Sequence, residues 1–185
     1  MTEAPFTVTI HMVSSVDGMI AKRDNSVGWF ETADEYEQGA GQPDVGEFLK
    51  TIDCYIMGSR TYAHAFELSK QYGWPYGDTP TIVMSSRALP VERANVELFT
   101  GDLQTLVNER LRPAYRNVWV VGGAALARSF IQAGLADEIR MSVLPVILGD
   151  GLRFFEELGL EKALHLKEVT GYKNGMVELW YSIRK

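Results

Sequence analysis

One cysteine stands in 185 residues, and Cys54 lies in the apolar run Cys-Tyr-Ile-Met. No disulfide can form within the chain, and the expected fate of that thiol is burial without chemistry. Basic residues are in the minority, 18 Lys and Arg against 24 Asp and Glu, for a net charge of −6. This balance argues against a surface made to grip nucleic acid or anionic lipid, while leaving room for a basic pocket around one phosphorylated ligand. No apolar run approaches membrane-spanning length, and the opening MTEAPFTVTIHMV has no basic leader followed by a long apolar segment. A soluble, cytoplasmic protein with no membrane partner is expected. His11, His64 and His165 are scattered without ligand spacing, so no metal is expected. Three motifs are also missing. Without G-x-G-x-x-G after a strand, G-x-x-x-x-G-K-[ST] or G-x-S-x-G, the chain does not read as a Rossmann-type dinucleotide fold, a P-loop or a serine hydrolase.

What is present is organised around Asn117 to Ala125, NVWVVGGAA. Val118, Trp119, Val120 and Val121 offer no polar position, which predicts a strand buried on both faces. Gly122 and Gly123 then separate it from a stretch of helix-forming composition. Glycines there admit a close backbone or ligand, and free N–H groups in a first helical turn favour an anion. Two readings follow, a seat for a cofactor's diphosphate or a tight turn that packs a helix on a strand. The arrangement recurs at Cys54 to Met57, where Gly58-Ser59-Arg60-Thr61 opens a helix through Phe66 or Leu68. Pro80 to Met84 is a third apolar strand, ending in Ser85-Ser86-Arg87. Hydroxyls and guanidinium groups at these strand ends suit phosphate oxygens.

The remaining chain reads as alternating elements. Thr7 to Ser15 is a central strand, stopped by the turn Val16-Asp17-Gly18, and Met19 to Ala21 resumes an extended piece. After a polar loop, Trp29 and Phe30 suit either a pocket mouth or the core. Thr32 to Glu35 fits a capping box, and Val45, Phe48, Leu49 and Ile52 form the stripe of a helix after Pro43. Asp44 and Glu47 lie at the edge of that stripe, facing a cleft or complementing the helix dipole. Val96 to Phe99 is a short strand, and Asp102 caps a helix to Leu111 that Pro113 ends. Ile139 to Leu148 is a strand in which Pro145 marks a bulge or an edge. Leu164 to Tyr172 and Met176 to Ile183 form a hairpin through Asn174-Gly175. The order predicts one α/β layered domain with a mostly parallel sheet and an antiparallel edge.

Taken in order, V-D-G at 16–18, MGSRTY at 57–62, MSSR at 84–87, VVGGAAL at 120–126 and LPVILGDGLRFF at 144–155 resemble the dihydrofolate-reductase-like superfamily. They are most similar to its riboflavin-biosynthesis reductase domains, the carboxy-terminal half of the bifunctional deaminase-reductase, here as a stand-alone member without the deaminase half. The resemblance implies a three-layer fold over residues 1–185 and an NADPH-dependent oxidoreductase. It implies that Gly58, Ser59, Arg60 and Thr61 with Ser85, Ser86 and Arg87 flank the adenosine end, Arg60 or Arg87 pairing with the 2′-phosphate. Val121, Gly122, Gly123, Ala124 and Ala125 would carry the diphosphate, and the main chain of Val13 and Ile20 the nicotinamide carboxamide. Asp44 is the nearest match to the acid of folate reductases. In the riboflavin type, Asp17 and Glu156 or Glu157 match positions near the substrate, with Ser142 facing it. The implied activity is reduction of a pyrimidine-type ring or imine, in the manner of 5-amino-6-(5-phosphoribosylamino)uracil reductase. The alternatives are dihydrofolate reduction and an NADPH-binding module without turnover. A homodimer is implied, with the carboxy-terminal hairpin as its interface.

Overall fold

The computed structural model describes residues 5–31, 34–41 and 45–184, apart from the Val45 side chain. The elements run β1 (Thr7–Ser15), β2 (Met19–Ala21), α1 (Val45–Leu49), β3 (Cys54–Gly58), α2 (Ser59–Tyr72), β4 (Thr81–Met84) and β5 (Val96–Phe99). They continue with α3 (Leu103–Thr105), a π-helical segment (Leu106–Leu111), α4 (Arg112–Ala114), β6 (Asn117–Gly122), α5 (Ala124–Gln132) and β7 (Glu138–Leu144). The chain closes with β8 (Leu152–Arg153), β9 (Leu164–Gly171) and β10 (Val177–Ile183). Eight strands form one sheet in the order β5-β4-β3-β6-β1-β7-β10-β9, and β2 pairs with β8 beside it. Every pairing from β5 through β7 is parallel; β10 and β9 add antiparallel to β7. This is the expected three-layer α/β architecture with its hairpin edge.

Alternation in β1 makes the layers. Val8, Ile10 and Met12 turn to one face, where they pack with Ile56, Val120, Leu106, Phe130 and Ile131 under α5 and the π segment. Phe130 is fully buried, and such a side chain contributes roughly 1.5–3 kcal/mol. Thr9, His11 and Val13 turn to the opposite face, which α1 and α2 cover through Leu49, Tyr62 and Phe66 over Tyr55 and Met57.

Several boundaries differ from the sequence expectation. β6 is buried on one face only: Val118 and Val120 are enclosed, while Trp119 and Val121 are partly open, because that face borders a cavity. β7 stops at Leu144, before Pro145. Lying between β1 and β10 it has no edge, and proline lacks the N–H that a central strand needs. α1 ends at Leu49 rather than carrying Ile52: Thr51 and Ile52 donate to carbonyls three residues back, and the Thr51 hydroxyl also takes the Phe48 carbonyl (2.7 Å). α2 runs on to Tyr72, where Gly73 at φ +82° turns the chain and its N–H caps Ser69 O. Asp102 caps α3 through Thr105 N (2.9 Å), but Pro113 does not end the helical run. It sits in the first turn of α4, where its missing N–H is tolerated after the shift from π bonding. Thr32 of the expected capping box lies outside the described residues. Cys54 is fully buried, and burial, aided by the Asp53 charge, pushes its thiol up to about 12.

Candidate functional site

A cavity of about 1120 Å³ opens on the face of the sheet that carries His11. Its first end lies where β3 and β6 stop. These strands are neighbours, with Met57 opposite Gly122, so α2 and α5 begin side by side. Neither helix has a side-chain cap at its start. Their first N–H groups are therefore available to a ligand. The two starts approach at van der Waals distance: a Cβ on Gly58 would stand 3.8 Å from Gly122 O and Gly123 N, and one on Gly123 would stand 3.5 Å from Thr61 Oγ1. Glycine at both places keeps a cradle open that side chains would fill. Gly122 has φ +123°, and a Cβ there would lie 2.9 Å from Met12 Sδ.

From this junction the cavity follows α2, whose Ser59, His64, Leu68 and Tyr72 all line it, over a helix about 20 Å long at 1.5 Å per residue. Its second end is aromatic. The His11 ring stacks on Trp119 at 4.9 Å and 23°, and Phe48 stands edge-on to it at 5.5 Å. Tyr55 continues the array between Trp119 and Tyr76, and burial pushes the Tyr76 phenol up to about 12. Across from α2 the wall includes Val27 and Phe30, so Phe30 meets the expectation of a pocket-mouth aromatic, whereas Trp29 is buried.

Behind His11 lies a buried polar network. Its Nε2 meets Ser142 Oγ at 3.0 Å, and that hydroxyl lies 3.4 Å from Glu178 Oε2. Glu178 pairs with Arg140, whose guanidinium is flanked by Phe48 at 4.5 Å and Trp180 at 5.1 Å. Burial, then the Arg140 charge, lowers the His11 imidazole to about 3. His11 is therefore neutral at pH 7, and its 3.9 Å approach to Glu178 is not an ion pair. The carboxylate is the partner of Arg140.

The structure gathers many of the residues expected at the site. Val13, Ile20, Gly58, Ser59, Arg60, Thr61, Val121, Gly123, Ala124 and Ala125 line the cavity. Gly122 lies just behind the lining, joined to Gly123 by a cis peptide bond. Glu156 lines it too and pairs with Arg128 at 3.0 Å, whereas Glu157 is exposed outside it. Other residues fall elsewhere. Ser85 Oγ donates to Arg87 O (2.7 Å) and accepts from Arg87 N (3.2 Å), so its hydroxyl closes its own turn. Ser85, Ser86 and Arg87 do not line the cavity; the preceding Met84 does. Asp17 also lies outside the lining. Its carboxylate accepts from Ser15 Oγ (2.5 Å) and from Leu148 and Gly149 N–H (3.1 and 2.8 Å), tying two turns together. Those bonds, led by the one from Ser15, hold its carboxyl below the usual range. Ser142 is buried behind His11 rather than at the cavity surface. Asp44 lies outside the described residues. His11, a histidine without ligand spacing in the sequence, stands two residues before Val13 in β1 and shares its face.

Comparison with known proteins decides what this architecture is. Residues 6–178 match the RibD C-terminal domain. The chain belongs to the RibD C-terminal domain family. Among its relatives, the uncharacterised protein YwjB of Bacillus subtilis is 32% identical over 158 residues, 85% of this chain and 87% of its own. The same fold occurs in a candidate riboflavin biosynthesis protein of Shewanella sp. PV-4, at TM-score 0.82 and 20% identity, covering 97% of this chain and 100% of that one. It also occurs in dihydrofolate reductase from Enterococcus faecalis, solved with NADP(H), at TM-score 0.61 and 16% identity over 97% of each chain. As a RibD C-terminal domain the chain is an NADPH-dependent oxidoreductase of the dihydrofolate-reductase-like superfamily. Among the described residues, no helix is long and apolar enough to cross a membrane.

Proposed function

We propose that this RibD C-terminal domain reduces a pyrimidine-type ring or a related imine with NADPH, as a cytoplasmic homodimer. The observation that carries the reading is the meeting of two uncapped helix starts at Gly58 and Gly123 in the wall of one cavity. Their amides, with Ala124 and Ala125, would hold the diphosphate, and Ser59, Arg60 and Thr61 the 2′-phosphate, for which a guanidinium offers paired donors. Val13 and Ile20 would border the nicotinamide. When bound, NADPH supplies a hydride to the acceptor carbon. The chain's own work is to hold that carbon in place, exclude water with Phe30 and the aromatic array, and present a proton donor to the acceptor nitrogen. Asp44 and Glu156 are the proposed donors. We assign Ser142 the positioning of His11, and Asp17 the positioning of the loop at Gly149. Dihydrofolate is the second substrate reading, supported by the fold shared with a dihydrofolate reductase over nearly the whole chain.

The test is a titration of the protein with NADPH and with NADH, followed by tryptophan fluorescence, in the wild type and in Arg60→Ala. NADPH is expected to bind at least tenfold more tightly than NADH, with Arg60→Ala erasing most of that preference. Equal affinity for both nucleotides, or binding of neither, would sink the reading. The dimer is supported by the edge strand β9, where Leu164, Leu166 and Val169 are exposed next to Val177. Such a strand invites pairing with a second copy. Sedimentation at micromolar concentration is expected to return twice the chain mass, and a monomer would remove this part of the proposal. A cytoplasmic setting accords with the single, buried thiol, which asks for no oxidising compartment.

A further inference from the structure

The charges of the cavity are unevenly placed. Among the described lining residues only Arg60, Arg153 and Glu156 carry charged side chains. Arg60 is in the first turn of α2, Arg153 pairs across to β2 just past the end of β1, and Glu156 is tied to Arg128 of α5. Arg60 stands at the glycine end, and Arg153 and Glu156 belong to the segment that pairs with β2, apart from α2. The arm that runs on past His64 is bounded by His11, Trp119, Leu68, Tyr72, Pro75 and Tyr76, without a lysine, arginine or carboxylate. Positions 32–33 and 42–44 add no cation, since they read Thr-Ala and Gln-Pro-Asp. The charged residues of α2 beside this arm, Glu67 and Lys70, pair with each other at 2.8 Å outside the lining. An anion placed in the arm would give up its hydration for apolar and aromatic walls, a cost that only a paired cation repays. A flat aromatic ring loses nothing there and gains stacking area. Two wall imidazoles leave a ring nitrogen without a hydrogen-bond partner, His11 Nδ1 and His64 Nε2, so the arm has polar capacity without fixed charge.

We infer that the aromatic arm takes an uncharged heteroaromatic ligand with no phosphate and no carboxylate tail, a substrate class that excludes both phosphoribosyl-bearing pyrimidines and glutamate-tailed folates. The inference rests on the reductase reading for the cavity's other end, where Arg60 serves the cofactor. The probes are 6-hydroxymethylpterin and the same pterin phosphorylated on its hydroxymethyl group, titrated calorimetrically into the wild type with and without saturating NADP⁺. The uncharged pterin is expected to bind at least tenfold more tightly than its phosphate ester. Leu68→Arg, at a position 40% exposed and so tolerant of a long polar side chain, is expected to shrink that ratio at least fivefold, and Leu68→Gln to leave it within twofold. A phosphate ester that binds the wild type as well as the free pterin overturns the inference. So does a protein that binds NADP⁺ but not the free pterin, and that result leaves the reductase reading standing. Failure to bind NADP⁺ with the pterin preference intact overturns the reductase reading alone.

Discussion

At the end where α2 and α5 begin, glycine and main chain shape the cavity wall, with Ser59, Arg60 and Thr61 beside them; at the end where α2 stops, it is side chains drawn from β1, β6 and the segment after α2. The first end owes its shape to positions where a Cβ is missing, and helix amides supply its polarity. The second owes its shape to a neutral imidazole stacked on an indole and backed by the ion pair of Arg140 and Glu178. A main-chain wall is insensitive to most substitutions and to pH, and fails when a side chain is added. A side-chain wall fails when a distant partner is lost or when a proton arrives.

The largest effect is expected from Glu178→Leu, which would leave the Arg140 guanidinium, 18% exposed, without its partner. Removing one member of a buried pair costs about 3–5 kcal/mol. Urea unfolding measures this, and a loss below about 1 kcal/mol, the level of an exposed pair, would mean that the network does not support the aromatic end. Next comes pH. The His11 imidazole is lowered from 6.5 to about 3 in the fold, so the unfolded chain takes up the proton first. The stability it contributes is fully present above pH 6.5 and is lost as pH falls toward 3, at about 1.4 kcal/mol per unit. Between pH 6.5 and 5 the wild type should lose about 2 kcal/mol more than His11→Phe. Parallel pH profiles for the two proteins would show that the imidazole is not held neutral.

At the glycine end, Gly122→Ala forces a Cβ against Met12 Sδ at a residue with φ +123°. A destabilisation of about 2 kcal/mol is expected in thermal or urea unfolding. It should be independent of pH, unlike the loss at His11, and a matching pH dependence would erase the contrast between the two ends. The smallest effect is expected from Arg128→Ala, which breaks the pair with Glu156, both side chains being about two-fifths exposed. Exposed pairs contribute about 0–1 kcal/mol. The same unfolding assay checks it, and a loss above about 2 kcal/mol would mean that the rim of the cavity is organised by side chains after all.

The glycine end was legible in the sequence because each of its parts is local. A β-branched run, a glycine and a helix-forming stretch occupy adjacent positions, so Gly58 and Gly123 are visible without knowing the sheet order. The aromatic end was not legible. His11 and Ser142 are 131 positions apart and meet only because β7 lies against β1. Ser142 and Glu178 meet because β10 returns antiparallel to β7. Two of the polar residues singled out in the sequence are held by bonds within turns and loops. The Ser85 hydroxyl bonds Arg87 two positions on, and the Asp17 carboxylate accepts from Leu148 and Gly149, partners that the local sequence does not reveal. Boundaries failed where backbone chemistry overrode the apolar pattern, as at Gly73, which sets the end of α2, and at Pro145, before which β7 stops.

The central place of β1 also bears on how the chain is made. Both of its neighbours come late: β6 begins at Asn117 and β7 at Glu138. At about 5–20 residues per second, a ribosome needs on the order of 5–20 s to travel from the end of β1 to the start of β6. Throughout that interval Val8, Ile10 and Met12 have no sheet to join, and closing so long a loop slows the step further. The nascent chain therefore carries an unpaired apolar strand through more than half of its synthesis, an extended hydrophobic segment exposed to aggregation until β6 arrives.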